Sequence, residues 1–248
     1  MSNIKTCILG KCDGSGFIET IDENGEEVVK LCSCKKDFLS EEGVQRKLVQ
    51  ARVPIEFHKY TIEDYNNVTI GFSPDAKAFN KKSLDIINKI ITEPSYFLNN
   101  FKVLWIWGKE PNSCHTSLAV ILSKALLLHG SSVRFSSFQE LIKSFTDFDN
   151  KDVLKDYKNH DVYIIDDCCD ITKSFLSTKS DFVKVNLLEF FSSNLMNGKK
   201  FICTSNVDID SIDAKFNDLK YLLQRYVYEM QLKGNISTIL RDKNKEIK

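Results

Sequence analysis

From Val103 onward the chain alternates short β-rich runs with amphipathic stretches, and this alternation constrains the fold more than any other feature. The β-rich runs are Val103-Leu-Trp-Ile-Trp107, Ser132-Val-Arg-Phe135, Val162-Tyr-Ile-Ile165 and Phe201-Ile-Cys-Thr204, with a last one at Ile236-Ser-Thr-Ile-Leu240. Helical spacing of apolar residues predicts helices over 115–129, 138–145, 181–197, 209–216 and 219–232. Strands separated by helices pair in parallel, so the predicted fold is α/β, a parallel sheet flanked by helices.

Ahead of this core, Ser73-Pro74 marks a break, and a helix is predicted over 75–97 from Ala76, Phe79, Leu84, Ile87, Ile90 and Ile91. A basic helix over about 38–53 carries Leu39, Val44, Leu48 and Val49 and is stopped by Pro54. Arg46, Lys47, Arg52, His58 and Lys59 form either a solvated face or a contact for nucleic acid or a partner.

The cysteines are unevenly placed. Cys114, Cys168, Cys169 and Cys203 fall in apolar or strand-like stretches, where a thiol is a small buried hydrophobe. Cys7-x4-Cys12 and Cys32-x-Cys34 instead supply two close pairs of thiolates, and four thiolates satisfy tetrahedral zinc. Between the pairs, Phe17-Ile-Glu-Thr20 and Val28-Val29 are predicted to form a hairpin turning at Asn24-Gly25. A two-stranded ribbon is too small to hold itself, and a bound metal would supply the missing stability.

The chain has 248 residues with 34 Lys plus Arg balanced by 34 Asp plus Glu, which excludes a generally polycationic surface. No apolar run reaches the roughly 18 residues of a membrane span, and the amino terminus lacks the apolar core of a signal peptide. A cytoplasmic protein without membrane contact is expected.

Open α/β sheets bind ligands at the carboxyl ends of their strands, and three segments gather there. The first strand runs into Gly108-Lys-Glu-Pro-Asn-Ser-Cys-His-Thr-Ser-Leu-Ala119, which has the shape of a phosphate-binding loop leading into a helix whose free amides face an anion. Gly108, Asn112, Ser113, Cys114, His115, Thr116 and Ser117 are its candidate nucleotide contacts. The third strand ends in Asp166-Asp167, positions suited to a carboxylate that holds magnesium with Thr116 and one that polarises water. The fourth ends in Thr204-Ser205-Asn206, which puts the Asn206 amide beside the γ-phosphate position.

In these motifs the chain resembles the DnaC/DnaI-type helicase loaders of the AAA+ superfamily, relatives of the IstB transposition helpers, over nearly its whole length. Cys12-Asp-Gly-Ser-Gly16 with Cys32-Ser-Cys34 resembles the zinc-binding head of DnaI-like and phage-encoded members, and Ala51-Arg-Val-Pro-Ile-Glu-Phe-His-Lys-Tyr60 the segment before their ATPase core. Ser136-Ser-Phe-Gln-Glu-Leu-Ile142, Asp161 to Asp167 and Cys203-Thr-Ser-Asn206 match later core motifs. The resemblance implies a zinc head over 1–37, a linker over 38–74 and an AAA+ domain over 75–248. It implies an arginine finger at Arg225, acting on a neighbouring subunit's nucleotide, and a second sensor at Arg241. It also implies ATP with Mg2+ and Zn2+ as cofactors, and a replicative hexameric helicase, single-stranded DNA and further copies of the chain as partners.

One departure stands out. The family's loop ends Gly-Lys-Thr or Gly-Lys-Ser, whereas this chain has Cys114-His115-Thr116, so the lysine that reaches the β- and γ-phosphates is replaced by a shorter, mostly neutral side chain. Cys114 also adds a side chain where backbone amides approach phosphate. Weak or absent hydrolysis is expected. The alternatives are a nucleotide-independent helicase-binding adaptor and an IstB-like transposition helper.

Overall fold

The computed structural model describes residues 17–21, 25–31, 41–69, 74–109, 115–146, 157, 159–169 and 180–233. The chain divides into two compact units, Met1–Val49 and Gln50–Lys248. In the first, β1 (Phe17–Ile21) and β2 (Glu27–Leu31) pair antiparallel with Phe17 opposite Leu31, as the hairpin reading expected. Gly25 in the connection has φ of +83°, a conformation that favours glycine. The ribbon leaves Ile21 and Val29 two-thirds exposed, so pairing alone gives it little buried area. Helix α1 (Glu41–Gln50) follows within the predicted basic segment.

The second unit is built on a five-stranded parallel sheet. Its strands are β3 (Val103–Trp107), β4 (Val133–Ser137), β5 (Val162–Asp166), β6 (Lys200–Ser205) and β7 (Val227–Gln231), in the order β4-β5-β6-β3-β7. Side chains alternate between the two faces of each strand. Val103, Trp105, Tyr163, Ile165, Phe201 and Cys203 join one core with α6 (Phe138–Thr146), α7 (Ser180–Met196) and α8 (Asn217–Gln224). Stacked rings pack its centre, with Phe191 and Phe201 centroids 4.7 Å apart. The opposite face carries α5 (His115–Leu128), whose Leu118 to Leu122 are all buried. Such a helix, apolar on nearly every side, belongs inside.

Helices α2 (Ile62–Thr69) and α3 (Pro74–Thr92) pack against α5, and α4 (Pro94–Asn100) leads into β3. The single helix expected over 75–97 is therefore two, because Pro94 removes a backbone donor and starts a new helix. The segment before α2 is tied down. Ala51 O accepts the Phe135 amide of edge strand β4 at 2.7 Å, and Lys124 on α5 donates to the carbonyls of His58 and Tyr60. His58, one of the five basic candidates for partner contact, is buried with Nε2 2.8 Å from Val53 O. That internal bond and its burial make it a structural residue rather than a surface cation.

Two further expectations are corrected. The helix predicted over 209–216 is a pair of 3-10 turns, Ile209–Ser211 and Ala214–Phe216, each started by an aspartate, Asp208 or Asp213, that accepts a backbone amide. The helix predicted over 219–232 stops at Gln224, and Val227–Gln231 becomes the fifth strand beside β3. Its Val-Tyr-Glu-Met-Gln run carries both periodicities, and the open edge of β3 decides between them. The strand expected at 236–240 lies outside the described residues.

Candidate functional site

The sheet's side-chain parity builds the site. Ile164 and Ile202 lie on the α5 face, so Asp166 and Thr204, each two residues further on, lie there too. Register pairs Ile165 with Cys203, which sets Asp166 beside Thr204 at the carboxyl ends of β5 and β6. The first turn of α5 delivers Thr116 to the same place. Thr116 Oγ1 donates to Asp166 Oδ1 at 2.7 Å, and Thr204 Oγ1 donates to the same oxygen at 2.5 Å. Burial pushes the Asp166 carboxyl above its ordinary value; the two hydroxyl bonds and nearby His115 oppose that rise, and Asp167 adds to it.

The turn after β5 is held from β6. The Asp167 amide donates to Thr204 Oγ1 at 3.0 Å, the Cys168 amide to Thr204 O at 2.7 Å, and Ser205 Oγ to Cys168 O at 3.0 Å. Asp167 adopts φ of +54°, a left-handed conformation that costs energy in a non-glycine residue and persists because its surroundings fix it. His115 is buried, with Nε2 3.9 Å from Asp167 Oδ1, beyond hydrogen-bond range. Cys168, Cys169 and Cys203 are free and buried, in accord with their reading as small hydrophobes, and desolvation raises the Cys168 thiol well above its ordinary value. A buried, protonated thiol is inert.

The other candidates divide clearly. Gly108 is buried, its amide donating to Ser205 O at 3.2 Å; Ser117 is buried on α5, and Asn206 is half-buried just past β6. Lys109, next to Gly108, is exposed, with Nζ 5.9 Å from the Trp107 ring centroid, and its charge bears on Asp208. Arg225 is exposed at the C-cap of α8, two residues before Val227, which pairs with Val103 at the amino ends of the strands. It therefore lies at the opposite end of the sheet from Asp166 and cannot serve that carboxylate within one chain. Asn112, Ser113, Cys114 and Arg241 lie outside the described residues, as do Cys7, Cys12, Cys32 and Cys34. Among the described residues no group of three or more His, Cys, Asp or Glu side chains can hold a metal.

Thr116 and Asp166 are hard oxygen donors. With water and phosphate oxygens completing the shell, they suit Mg2+, which keeps most of its waters and takes only one or two protein ligands. Thr204 escaped the sequence reading as a site residue, although a hydroxyl ending an otherwise apolar run signals it.

No family model matches the sequence, and no curated protein matches it. Solved structures do. A DNA replication initiation factor superposes with a TM-score of 0.57 at 17% identity, over 76% of this chain and 55% of that one. DnaI superposes with a TM-score of 0.55 at 14% identity, over 75% of this chain and 97% of that one. The fold is that of an AAA+ domain. DnaA from Aquifex aeolicus, in a structure with AMPPCP bound, gives a TM-score of 0.51 at 18% identity, over 68% of this chain and 52% of that one. The chain spans about half the length of the initiation factor and of DnaA. No described helix is long and apolar enough to cross a membrane.

Proposed function

We propose that this protein is a replication helicase loader. Its AAA+ domain would hold Mg-ATP as a switch, and its N-terminal zinc head would bind the replicative hexameric helicase for placement on single-stranded DNA. The observation that carries the nucleotide part is the hydrogen bond from Thr116 Oγ1 to Asp166 Oδ1 at the strand ends. Likeness to DnaI over most of both chains supports the loader part. The organisation we propose is a head over 1–37, a linker over 38–74 and the ATPase-like domain over 75–248.

In this reading Thr116 and Asp166 hold Mg2+, which would neutralise the phosphates. Asp167 and Asn206 face the γ-phosphate region, and the amides opening α5 bind phosphate oxygens. Exposed Arg225, at the far end of the sheet, acts on the nucleotide of a neighbouring copy, so ATP biases contacts between subunits rather than driving fast hydrolysis. Cys7, Cys12, Cys32 and Cys34 hold zinc and brace the ribbon. His115 favours a second reading, a nucleotide-independent adaptor, because the fixed charge of a lysine is gone.

Size exclusion with light scattering on the chain plus the replicative helicase, with and without Mg-ATP, separates these. Several copies per hexamer with an ATP-dependent change support the loader. A complex indifferent to ATP supports the adaptor, and no complex overturns both.

A further inference from the structure

Thr204 is fully buried and makes three bonds to the end of β5 and the turn after it. Its hydroxyl donates to Asp166 Oδ1 and accepts the Asp167 amide, while its carbonyl accepts the Cys168 amide. A hydroxyl has one proton to donate and lone pairs to accept with, and here both capacities are directed at neighbouring residues of one turn. The donated bond fixes which carboxylate oxygen turns inward and leaves Oδ2 outside the bonds that Thr116 and Thr204 make. The accepted bond holds Asp167 in its left-handed conformation, and with it the direction of the Asp167 side chain. Valine has nearly the same shape and would leave the Asp167 amide and the inner carboxylate oxygen each short of a partner.

We propose that Thr204 is a positioning residue, orienting the Asp166 carboxylate and the Asp167 turn for a divalent cation carried by the nucleotide. This rests on the nucleotide reading above. Residues that orient a metal-binding carboxylate cost about 10–100-fold in metal affinity when removed.

The test uses the full chain, Mn2+ as the metal and AMPPCP as the nucleotide, with bound Mn2+ read by electron paramagnetic resonance. Thr204→Val is expected to weaken Mn2+ binding by about 10–100-fold, with Thr204→Ser restoring it. In an Asp166→Asn background, Thr204→Val should cost nothing further, because the group it orients is already altered. Binding by Thr204→Val equal to the unaltered chain, or the same loss in the Asp166→Asn background, overturns the proposal. Should the unaltered chain bind no Mn2+-AMPPCP, the nucleotide reading fails instead, and amide hydrogen exchange still decides the clamp. Protection of the Asp167 amide that is lost in Thr204→Val and kept in Thr204→Ser supports the positioning role, and equal protection in all three overturns it.

Discussion

Asp166 and His115 belong to the same end of the same sheet, yet their surroundings differ in kind. The Asp166 side is fully engaged: two hydroxyls converge on one oxygen, β6 clamps the following turn, and Asp167 is held in a conformation it would not choose alone. On the other side His115 Nε2 lies 3.9 Å from Asp167 Oδ1, and exposed Lys109 has its Nζ 5.9 Å from the Trp107 ring centroid. One end of a sheet can therefore hold a tightly bonded carboxylate beside residues that its strands do not fix. The two halves draw on different parts of the fold. Asp166 and Thr204 are set by strand register, which the whole core enforces, whereas His115 and Lys109 lie outside the strands.

Four variants test this contrast, the largest effect first. Asp166→Ala removes the carboxylate and strands the buried Thr204 hydroxyl and the half-buried Thr116 hydroxyl; Mg2+-dependent nucleotide affinity should fall by about 100-fold in calorimetric titration. Unchanged affinity would mean that the engaged half does not hold the metal. His115→Lys restores a fixed charge and should raise nucleotide affinity by about 10–100-fold, the worth of a hydrogen bond to a charged group. A failure to gain would show that the phosphate half has diverged beyond one residue. His115→Ala should lose at most about fivefold, one neutral hydrogen bond, in the same titration.

The smallest effect lies on the flank. Burial first, then Asp208 and Asp210, raise the Glu229 carboxyl, against the bond it accepts from the Ile209 amide. Its folded value exceeds its unfolded one, so its stabilising contribution is present below the unfolded value and is lost as pH rises through the folded one. Glu229 is largely solvated, so Glu229→Gln should remove a pH-dependent loss of under about 1 kcal/mol, read from urea unfolding between acidic and neutral pH. A larger change would mean that this flank is coupled to the site.

Much of this was legible beforehand, and the exceptions share a cause. Strands β3 to β6 and helices α5 to α7 follow from period and composition because local pattern and tertiary demand agree there. The aspartates at the end of β5 stood out as charges closing an apolar run. β7 was hidden because Val227 to Gln231 fits a helix as well as a strand until β3 offers an edge. Arg134 was also invisible as a core residue: it is 2% exposed in edge strand β4, with its guanidinium 4.6 Å from the Tyr157 ring and 3.6 Å from Glu140. No local rule buries an arginine. Thr204 needed the register, which pairs residues far apart in the chain.

The strand order has a further consequence during synthesis. β3 lies between β6 and β7, the last two of the described strands that the ribosome delivers, so it has neither neighbour until the chain has grown past Ser205. Until then a strand containing Trp105 and Trp107 has two bare edges, the condition that invites pairing with other chains. A nascent chain halted near Met196 would hold Thr116 and Asp166 but lack the strand that aligns them. Such a fragment would be a candidate for chaperone binding and unable to compete with the finished protein for nucleotide.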